Sequence, residues 1–277
     1  MKFALVYISP NGTTKSTTEI LEKIIKEDGH SVSTYNLGSP KYRNNHEQLY
    51  EDIKDSDIIG FGSAAYEMDM LKPMKTFIDD FNMKNQIYNY HFKAFMYLNY
   101  GGITSGKAFI NAAKDLRKSN IHAIGAFKVF APHFHHEEIF PTNATLKTIN
   151  HFYKAIKTNN FKEIEFEQIK KVFAPEKKII NLIYPFVSII SKIRTLPIKF
   201  NKYKCRKCKK CINECPIGAI SLNEIPMIDF NKCIHCYHCT KACNLHAIEC
   251  PIEKLDKMIV INKKIIGMEN PLNKIYF

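Results

Sequence analysis

The sequence predicts an α/β protein in which a doubly wound, five-stranded parallel sheet is followed by a small α+β domain. The first observation is that short apolar runs alternate with amphipathic stretches from residue 1 to about residue 158, as in a parallel sheet covered by helices. The second is a pair of cysteine ladders between Cys205 and Cys243, which contain eight of the nine cysteines. A chain of 277 residues is long enough for two domains.

Five runs of strand-forming residues supply the predicted sheet. Residues 2–8 are almost wholly apolar, as expected of a central parallel strand that is buried on both faces. Further strands are predicted at residues 31–37, 57–62, 93–99 and 121–130. A helix is predicted after Ser16, to about residue 26, and further helices are predicted at about 71–81, 105–119 and 142–157. Ligands of such sheets bind beyond the carboxyl ends of the strands, where the strand order reverses.

A hydroxyl-rich loop joins the first strand to the first helix. It reads Ser9-Pro10-Asn11-Gly12-Thr13-Thr14-Lys15-Ser16. Such a loop can bind a phosphate through its hydroxyls and through the free N–H groups at the start of the helix. A simple helix cap would also account for the serine and threonine residues. Two more loops follow the third and fourth strands, at residues 63–68 and 99–104, and they end at the same edge of the sheet.

The first half resembles the flavodoxins, whose phosphate loop has the pattern Ser/Thr-x-Thr-Gly-x-Thr. Asn11 stands where the family has Thr, which keeps a hydrogen-bonding side chain but changes its geometry. The resemblance implies an FMN cofactor. The implied phosphate ligands are Ser9, Asn11, Gly12, Thr13, Thr14 and Ser16, and the implied residues beside the flavin ring are Ser63, Ala64, Ala65, Tyr66, Asn99, Tyr100, Gly101 and Gly102.

Within these loops, Tyr66 and Tyr100 are the candidates to stack on the flavin ring, and a half-buried core position is the alternative for each. Gly101 and Gly102 would allow the backbone to approach the ring closely. No Gly-x-Gly-x-x-Gly motif occurs in the chain, which argues against a built-in NAD(P)H site.

Both cysteine ladders have the spacing C-x₂-C-x₂-C-x₃-C. A [4Fe–4S] cluster needs four thiolates, and in bacterial two-cluster ferredoxins the fourth cysteine of each run ligates the other cluster. Cluster I is therefore predicted to bind Cys205, Cys208, Cys211 and Cys243, and cluster II to bind Cys233, Cys236, Cys239 and Cys215. Zinc sites use two separated pairs of ligands, and disulfides are typical of small secreted chains, so both alternatives fit less well.

The repeat extends past the ligands, because Cys215-Pro216-Ile217-Gly218-Ala219-Ile220 matches Cys243-Asn244-Leu245-His246-Ala247-Ile248. The second copy departs from the ferredoxin pattern at Asn244 and His246. This region resembles the duplicated half of a bacterial ferredoxin. The joined halves resemble the flavodoxin–ferredoxin fusion proteins of anaerobic bacteria, the EFR-type ferredoxin family.

The resemblance implies an electron-transfer protein that passes electrons between two [4Fe–4S] clusters and FMN. One alternative is a reductase in which the clusters feed the flavin and the flavin reduces a small molecule such as a quinone or a nitro compound. That alternative needs an open pocket walled by Tyr66, Tyr100 and His133 or His135. A redox sensor is a third class. The sequence leaves open whether the protein is an enzyme, and whether it is a monomer or a homodimer.

The formal net charge of +13 limits the classes of partner. Only four of the 40 basic residues are arginine, and no nucleic-acid-binding signature occurs, so nucleic acid is not a predicted partner. The charge favours acidic redox partners. Basic residues crowd the first ladder, and they are either a docking surface or simply solvated. They are Lys199, Lys202, Lys204, Arg206, Lys207, Lys209 and Lys210.

The chain is predicted to divide into an FMN-binding domain at residues 1–158, a linker at 159–198, a cluster domain at 199–251 and a tail at 252–277 that packs back on one of the domains. The linker contains an apolar stretch at 179–193, broken by Pro185 and flanked by lysines and Arg194. It is predicted to pack on the domains, with a membrane-surface helix as the alternative.

Neither an export signal nor a membrane-spanning segment is predicted, and thiolate ligands then suggest a reducing cytoplasm. Cys250 lies outside the ladders and is predicted to be a structural thiol. The run around His133, His135 and His136 is predicted to be a solvated loop near the flavin, with a metal site as the alternative.

Overall fold

The structure is a computed structural model that describes residues 1–133, 136, 138–187, 189–190 and 195–277. One sheet dominates it. Its strands are β1 Lys2–Tyr7, β2 Ser31–Asn36, β3 Ile58–Tyr66, β4 Asp69–Met70, β5 Phe92–Tyr100, β6 Ile121–Phe130 and β11 Lys274–Tyr276. The strand order is β11-β6-β5-β3-β1-β2, and β4 pairs with β3.

Five of these strands are parallel and run in the spatial order β2-β1-β3-β5-β6. This is the flavodoxin-like order, in which the switch point lies beside the first strand. The predicted fold class is confirmed. The sheet is larger than the predicted five strands, because the hairpin strand β4 and the tail strand β11 both add to it in antiparallel fashion.

Helices cover both faces of the sheet, as a parallel sheet requires. Their bounds are α1 Thr13–Glu27, α2 His46–Ile53, α3 Lys72–Tyr88, α4 Ala108–Arg117 and α5 Asn143–Thr158. One face packs on α1 and α5, through a cluster that includes Leu21 and Phe152. The other face packs on α2, α3 and α4, through a cluster that includes Tyr50, Phe77 and Leu116. The short helix α2 was not predicted from the sequence.

The linker forms two short helices, α6 Phe166–Val172 and α7 Ile179–Ile183, with a 3₁₀ turn at Tyr184–Phe186. Ile169 and Ile180 are buried, whereas Leu182 and Phe186 are 71% and 58% exposed. The predictions made for Ser188, Lys192, Ile193 and Arg194 lie outside the described residues. Among the described residues, none of the helices is both long enough and apolar enough to cross a bilayer.

The cysteine-rich region is built from short elements. They are β7 Lys199–Phe200, α8 Lys210–Asn213, β8 Ile220–Leu222, β9 Pro226–Ile228, α9 His238–Ala242 and β10 Ile248–Glu249. Strand β7 pairs with β10, and β8 with β9, both antiparallel. Helix α10, Glu253–Ile266, follows and leads to β11. The tail therefore crosses from the cysteine-rich region back to the edge of the large sheet.

Candidate functional site

The loop between β1 and α1 is an open turn at the carboxyl end of the sheet. Gly12 caps α1 in the left-handed conformation, with φ of 87°, and a Cβ added there would meet nothing within 4 Å. The Ser9 hydroxyl accepts a hydrogen bond from the Lys15 N–H at 3.0 Å. The Ser16 N–H donates to the Gly12 carbonyl at 3.0 Å. The first N–H groups of α1 have no intrahelical partners, so this end of the helix suits an anion.

Three buried polar atoms in or near this loop have no hydrogen-bond partner among the described residues. They are Oδ1 of Asn11, the hydroxyl oxygen of Thr14 and Oδ1 of Asn99. Thr14 is fully buried, and the Asn99 amide donates to the Thr17 hydroxyl at 3.0 Å. A buried polar atom without a partner costs about 1–3 kcal/mol. A ligand with both hydroxyl groups and acceptor oxygens would satisfy the amide oxygens and the threonine hydroxyl, and FMN is such a ligand.

The third strand ends in a tight hairpin. Tyr66 pairs with Asp69, so Glu67 and Met68 form a two-residue turn with φ values of 50° and 62°. Two consecutive left-handed residues define a type I′ turn, which favours Asn-Gly and disfavours larger side chains. The hairpin carries the half-buried Tyr66, which interacts with Asn11 of the β1–α1 loop.

Ser63 shapes this hairpin instead of facing a ligand. It is fully buried, its hydroxyl donates to the Ala64 carbonyl at 2.8 Å, and the Leu71 N–H donates to it at 3.0 Å. Ala64 and Ala65 are half-buried along the same strand end. A direct side-chain contact from Ser63 to a flavin therefore does not fit its geometry.

Tyr66 lies between the β1–α1 loop and the cysteine-rich region. Burial raises the pKa of its phenol, and the Cys236 thiol is its largest electrostatic neighbour. The Asn11 side chain hydrogen-bonds to the phenol and acts in the opposite direction. Tyr66 thus links the loop predicted to hold a phosphate with a cysteine predicted to hold a cluster.

Tyr100 has other partners than a flavin ring. It is 3% exposed, its hydroxyl donates to the Leu272 carbonyl at 2.6 Å, and the Lys128 ammonium lies 5.0 Å from its ring centroid. Burial and the nearby Glu269 raise the pKa of its phenol. A buried ring with a cation on its face is not available for stacking, so the stacking hypothesis does not fit Tyr100, and it stays a prediction for Tyr66.

The glycines after Tyr100 also serve contacts within the chain. A Cβ on Gly101 would lie 2.5 Å from Nε2 of His133, and a Cβ on Gly102 would lie 2.6 Å from the Met268 side chain. The space at these glycines is therefore filled by His133 and by the tail, and the close approach of this backbone to a flavin stays a prediction.

A buried ion network holds the tail against this loop, and it was not predicted from the sequence. Lys128 is fully buried and contacts the carboxylates of Glu269 and Glu176. Glu269 accepts hydrogen bonds from the Thr104 hydroxyl at 2.9 Å and from the Ser105 N–H at 3.1 Å. Burial alone would raise the pKa of Glu176, but hydrogen bonds from Lys128 and other partners outweigh it and lower that pKa.

The eight ladder cysteines form two groups, each containing three thiols of one ladder and one of the other. The electrostatic neighbours of the Cys211 thiol are Cys243, Cys205 and Cys208, and these four also line one cavity. We call them the outer set. The neighbours of the Cys236 thiol are Cys239, Cys215 and Cys233, which we call with it the inner set. This is the exchange of fourth cysteines that the spacing predicts.

Burial raises the pKa of thiols in both sets, to about 12 for Cys236 and Cys239 and by a smaller amount for Cys211. Neighbouring thiols add to the shift. Four crowded, partly buried thiols resist becoming thiolates unless a metal balances their charge. Their donor chemistry, four sulfurs to a set, fits an iron–sulfur cluster.

The backbone repeats along with the cysteines. Lys207 and Lys209 have φ values of 54° and 61°, and the equivalent residues His235 and Tyr237 have 49° and 55°. Left-handed residues between ligands turn backbone N–H groups inward and form anion-binding concavities. At the fourth cysteines, the Ala219 N–H donates to Cys215 Sγ and the Ala247 N–H to Cys243 Sγ, both at 3.3 Å. These donors are the kind that cluster sulfurs require.

The two sets differ in what surrounds them. In the outer set Cys208 is exposed, and the loop around it carries the exposed Lys207 and Lys209. The equivalent Cys236 in the inner set is 8% exposed. The inner set faces the large sheet, because Ile234 packs on the core of that sheet and His235 interacts with Glu67 of the hairpin.

Contacts from the β2–α2 loop complete this interface. The Arg43 guanidinium donates to the Cys215 carbonyl at 2.8 Å, and a Cβ on Gly38 would lie 3.1 Å from the Pro216 carbonyl oxygen. Neither residue was predicted from the sequence. Cys250 is half-buried and packs in the cysteine-rich core, where burial raises its pKa to about 11. Its position agrees with a structural role.

One group of described residues has the composition of a metal site: His91, His122 and Glu163, at the opposite end of the sheet. Glu163 bonds to both imidazoles, at 2.7 and 2.8 Å, and the Arg117 guanidinium contacts His122, so a positive charge already lies there. The rings of His133 and His136 are 5.9 Å apart, and His135 lies outside the described residues.

Comparison with known proteins separates the two regions. Residues 204–248 match the model of the 4Fe-4S dicluster domain. The chain is 27% identical over 95 residues to NADH-quinone oxidoreductase subunit I 2 of Symbiobacterium thermophilum, and the match covers 30% of this chain and 38% of that protein. It therefore spans well under half the length of this curated relative.

Solved structures resemble the first region at low identity. A flavodoxin from the domain Archaea is 22% identical, with a TM-score of 0.44, covering 57% of this chain and 98% of the flavodoxin. Rubredoxin oxygen:oxidoreductase from Desulfovibrio gigas is 15% identical, with a TM-score of 0.44, covering 57% of this chain and 37% of that one. The strand order, not these similarities, establishes the flavodoxin-like fold. The chain joins this fold to an iron–sulfur domain suited to electron transfer.

Proposed function

We propose that the protein is an electron carrier that holds FMN and two [4Fe–4S] clusters and exchanges electrons with redox proteins in a reducing cytoplasm. The observation that carries this proposal is the position of Tyr66, which interacts with Asn11 of the phosphate loop and with Cys236 of the inner set. The two candidate cofactor sites therefore meet at one residue. Electron exchange between cofactors requires the two sites to be close together. A chance pairing of two domains would not require it.

In this proposal the chain provides a separate cradle for each cofactor. FMN would be held by the phosphate loop, including Thr14, and by the hairpin that carries Tyr66. The outer and inner sets would each hold one cluster. When bound, each cluster supplies a one-electron couple, and the flavin supplies a couple of one or two electrons. The left-handed turns direct N–H groups at the sulfurs, and the burial of Cys215 and Cys236 limits the access of water to the inner set.

The reductase alternative fits the geometry less well. It needs an open pocket over the flavin walled by Tyr66, Tyr100 and a histidine. Tyr100 is buried and engaged by Leu272, and the His133 ring lies against Gly101. The tail thus covers one side on which a substrate pocket would have to open.

The direct test is to purify the full chain without oxygen and to quantify iron, acid-labile sulfide and flavin beside an ultraviolet–visible spectrum. We expect about eight iron atoms and about eight sulfides per chain, together with one FMN. Colourless protein that lacks sulfide and does not retain FMN would refute the proposal. Rapid turnover with quinones or nitro compounds would favour the reductase instead.

Replacing Thr14 by valine is expected to weaken FMN binding about tenfold or more, since a hydrogen bond to a charged group contributes roughly 1.5–3 kcal/mol. Valine keeps the buried shape but has no hydroxyl. Quenching of flavin fluorescence on titration into the apoprotein measures the dissociation constant. Thr148→Val on α5, whose hydroxyl bonds only within its helix, is the matched control. Equal affinities in the two variants would contradict the assignment of Thr14.

We further propose that the partner is acidic and docks at the outer set. Arg206, Lys207 and Lys209 are exposed around the exposed Cys208, and Tyr203 beside them is 86% exposed. Cys208, a predicted cluster ligand, reaches the surface within a loop whose charged residues are all basic. An acidic protein would approach the outer set most closely at this loop. Attraction between opposite charges can raise association rates by 10–10³-fold, and salt removes that advantage.

Reversing two of these charges, in the double variant Lys207→Glu and Lys209→Glu, is therefore expected to slow electron exchange with an acidic carrier at least about tenfold at low ionic strength. The difference is expected to shrink as salt is added. Stopped-flow kinetics measure the rates, and iron analysis verifies that the clusters remain. Lys147→Glu with Lys154→Glu, exposed on α5, is the control with the same change in charge. Equal slowing in both pairs would refute docking at the outer set.

A further inference from the structure

We propose that Arg43, which belongs to the large-sheet domain, is a positioning residue that sets the redox potential of the inner cluster. This inference rests on the proposed function, because it concerns a cluster held by Cys215, Cys233, Cys236 and Cys239. The inference adds that the two clusters have different redox potentials. The difference is caused by Arg43, a residue outside the cysteine ladders. The cluster nearer the large-sheet domain would be the easier of the two to reduce.

Arg43 reaches the inner set directly. Its Nη1 donates a hydrogen bond of 2.8 Å to the carbonyl of Cys215, the cysteine that the first ladder contributes to the inner set. The side chain is half-buried, and the salt bridges formed among the described residues do not include it. Its positive charge is therefore not neutralised by a carboxylate. A charge held beside a ligand in a partly buried interface is screened less than one in water.

The packing of Arg43 explains why the first ladder has glycine where the second has histidine. Gly218 has φ of 63°, and a Cβ there would lie 3.3 Å from Nε and 3.4 Å from Cζ of Arg43. A side chain at this position would press on the guanidinium. His246, the equivalent residue, has φ of 48° and is exposed, so nothing comparable restricts it. Glycine thus leaves room for the guanidinium where Arg43 packs, and the second copy has no arginine to accommodate.

The two copies also differ in their surroundings two residues earlier, at Pro216 and Asn244. Pro216 is buried, and it lies against Gly38, where an added Cβ would be 3.2 Å from the proline Cβ. Its equivalent Asn244 is exposed and accepts a hydrogen bond from Lys210 at 3.0 Å. The departures of the second copy from the ferredoxin pattern therefore mark the copy that faces solvent. The first copy keeps the pattern where the β2–α2 loop, with Gly38 and Arg43, docks on it.

The direction of the effect follows from charge. Reduction adds one negative charge to a cluster, and a nearby cation stabilises the reduced form and raises the potential. One charge at about 4 Å contributes roughly 1 kcal/mol even in water, a change of about fivefold in the distribution of an electron between two sites. The lysines around the outer set are exposed, so solvent and salt screen them more than Arg43.

The test is a potentiometric titration of the full holoprotein, followed by electron paramagnetic resonance. In Arg43→Gln we expect one of the two cluster couples to move to a more negative potential, equivalent to about a fivefold shift in electron distribution, while the other stays unchanged. Arg43→Lys, which keeps the charge, is expected to restore much of the potential. Lys41→Gln is the control, because Lys41 lies on the same loop but pairs with Asp52.

An unchanged pair of potentials in Arg43→Gln would overturn the inference, and so would an equal shift in Lys41→Gln. If Arg43→Gln fails to retain iron, the potentials of Gly218→Ala are measured instead, because that variant leaves Arg43 in place but crowds the guanidinium. An unchanged pair of potentials in Gly218→Ala would then overturn the inference. These outcomes are distinct from failure of the proposed function. In that case the wild-type protein would contain no clusters to titrate.

Discussion

Replacing Cys236 by alanine is expected to remove about half of the iron and sulfide from the anaerobically purified protein, because each four-iron cluster needs all four of its thiolates. Cys236 is buried in the inner set, where the neighbours of its thiol are Cys239, Cys215 and Cys233. The outer set keeps its four cysteines. Iron and sulfide analysis, with the absorbance near 400 nm, measures the loss.

Cys250→Ala is the matched control. It also removes one partly buried thiol from the cysteine-rich core, but Cys250 lies outside both ladders. We expect the control to keep its full complement of iron. Loss of iron from Cys250→Ala to the same extent would contradict the assignment of ligands, and so would retention of all the iron by Cys236→Ala.

Cys208→Ala supplies the complementary experiment, since Cys208 belongs to the exposed outer set. Both single variants are expected to retain one cluster, but different ones. If the inner cluster is the one that Arg43 affects, the potential left in Cys208→Ala should respond to Arg43→Gln and the potential left in Cys236→Ala should not. Combining each cysteine variant with Arg43→Gln thus assigns each redox couple to the cysteines that bind its cluster.

The strands of the large sheet and the two cysteine groups were open to prediction from the sequence, because each is a local pattern. The run at residues 2–8 is almost wholly apolar, and the structure has β1 at Lys2–Tyr7. The predicted strand 121–130 coincides with β6. The regular spacing of the ladders fixes which thiols can come together, and the groups around Cys211 and Cys236 have the predicted members.

What could not be predicted depends on contacts between distant parts of the chain. Strand β11 has three residues, Lys274–Tyr276, which pair with β6 about 150 residues earlier, and no local periodicity reveals such a pairing. Tyr100 looked like a flavin contact because the tail that covers it was not part of the local pattern. The FMN ligands and the domain boundaries stay predictions.

One signal in the sequence did point to the interface, although its meaning was not apparent. Gly218 and His246 occupy equivalent places in the two ladders, and a repeat that loses a glycine in one copy usually loses a packing constraint there. The structure identifies the constraint as Arg43. Comparing the two copies of a repeat residue by residue can thus indicate which copy faces another domain.

The buried ion network leads to the second large effect. Replacing Glu269 by alanine is expected to lower the free energy of unfolding by about 3–5 kcal/mol, because it removes one partner of a buried charge. Lys128 is fully buried, and Glu269 is 2% exposed. Without Glu269, Lys128 keeps only Glu176, and the Ser105 N–H loses its acceptor. Anaerobic urea unfolding followed by circular dichroism measures the change.

Glu253→Ala is the control, because Glu253 lies in the same tail and carries the same charge but is exposed. Its effect is expected to stay within about 0.5 kcal/mol. Glu269→Gln keeps an acceptor for Thr104 and Ser105 while removing the charge, so it should lie between the two. If Glu269→Ala proved no less stable than Glu253→Ala, the network would not be what anchors the tail.

The same variant connects stability with the proposed cofactor site. Glu269 fixes Thr104 and Ser105 in the loop that follows β5, and Tyr100 of that strand bonds to Leu272 of the tail. Releasing the tail should therefore loosen the edge of the sheet at which Asn99 has an unsatisfied oxygen. We expect Glu269→Ala to bind FMN more weakly than Glu253→Ala under conditions in which both remain folded. Equal FMN affinities would mean that the tail stabilises the sheet without shaping the flavin site.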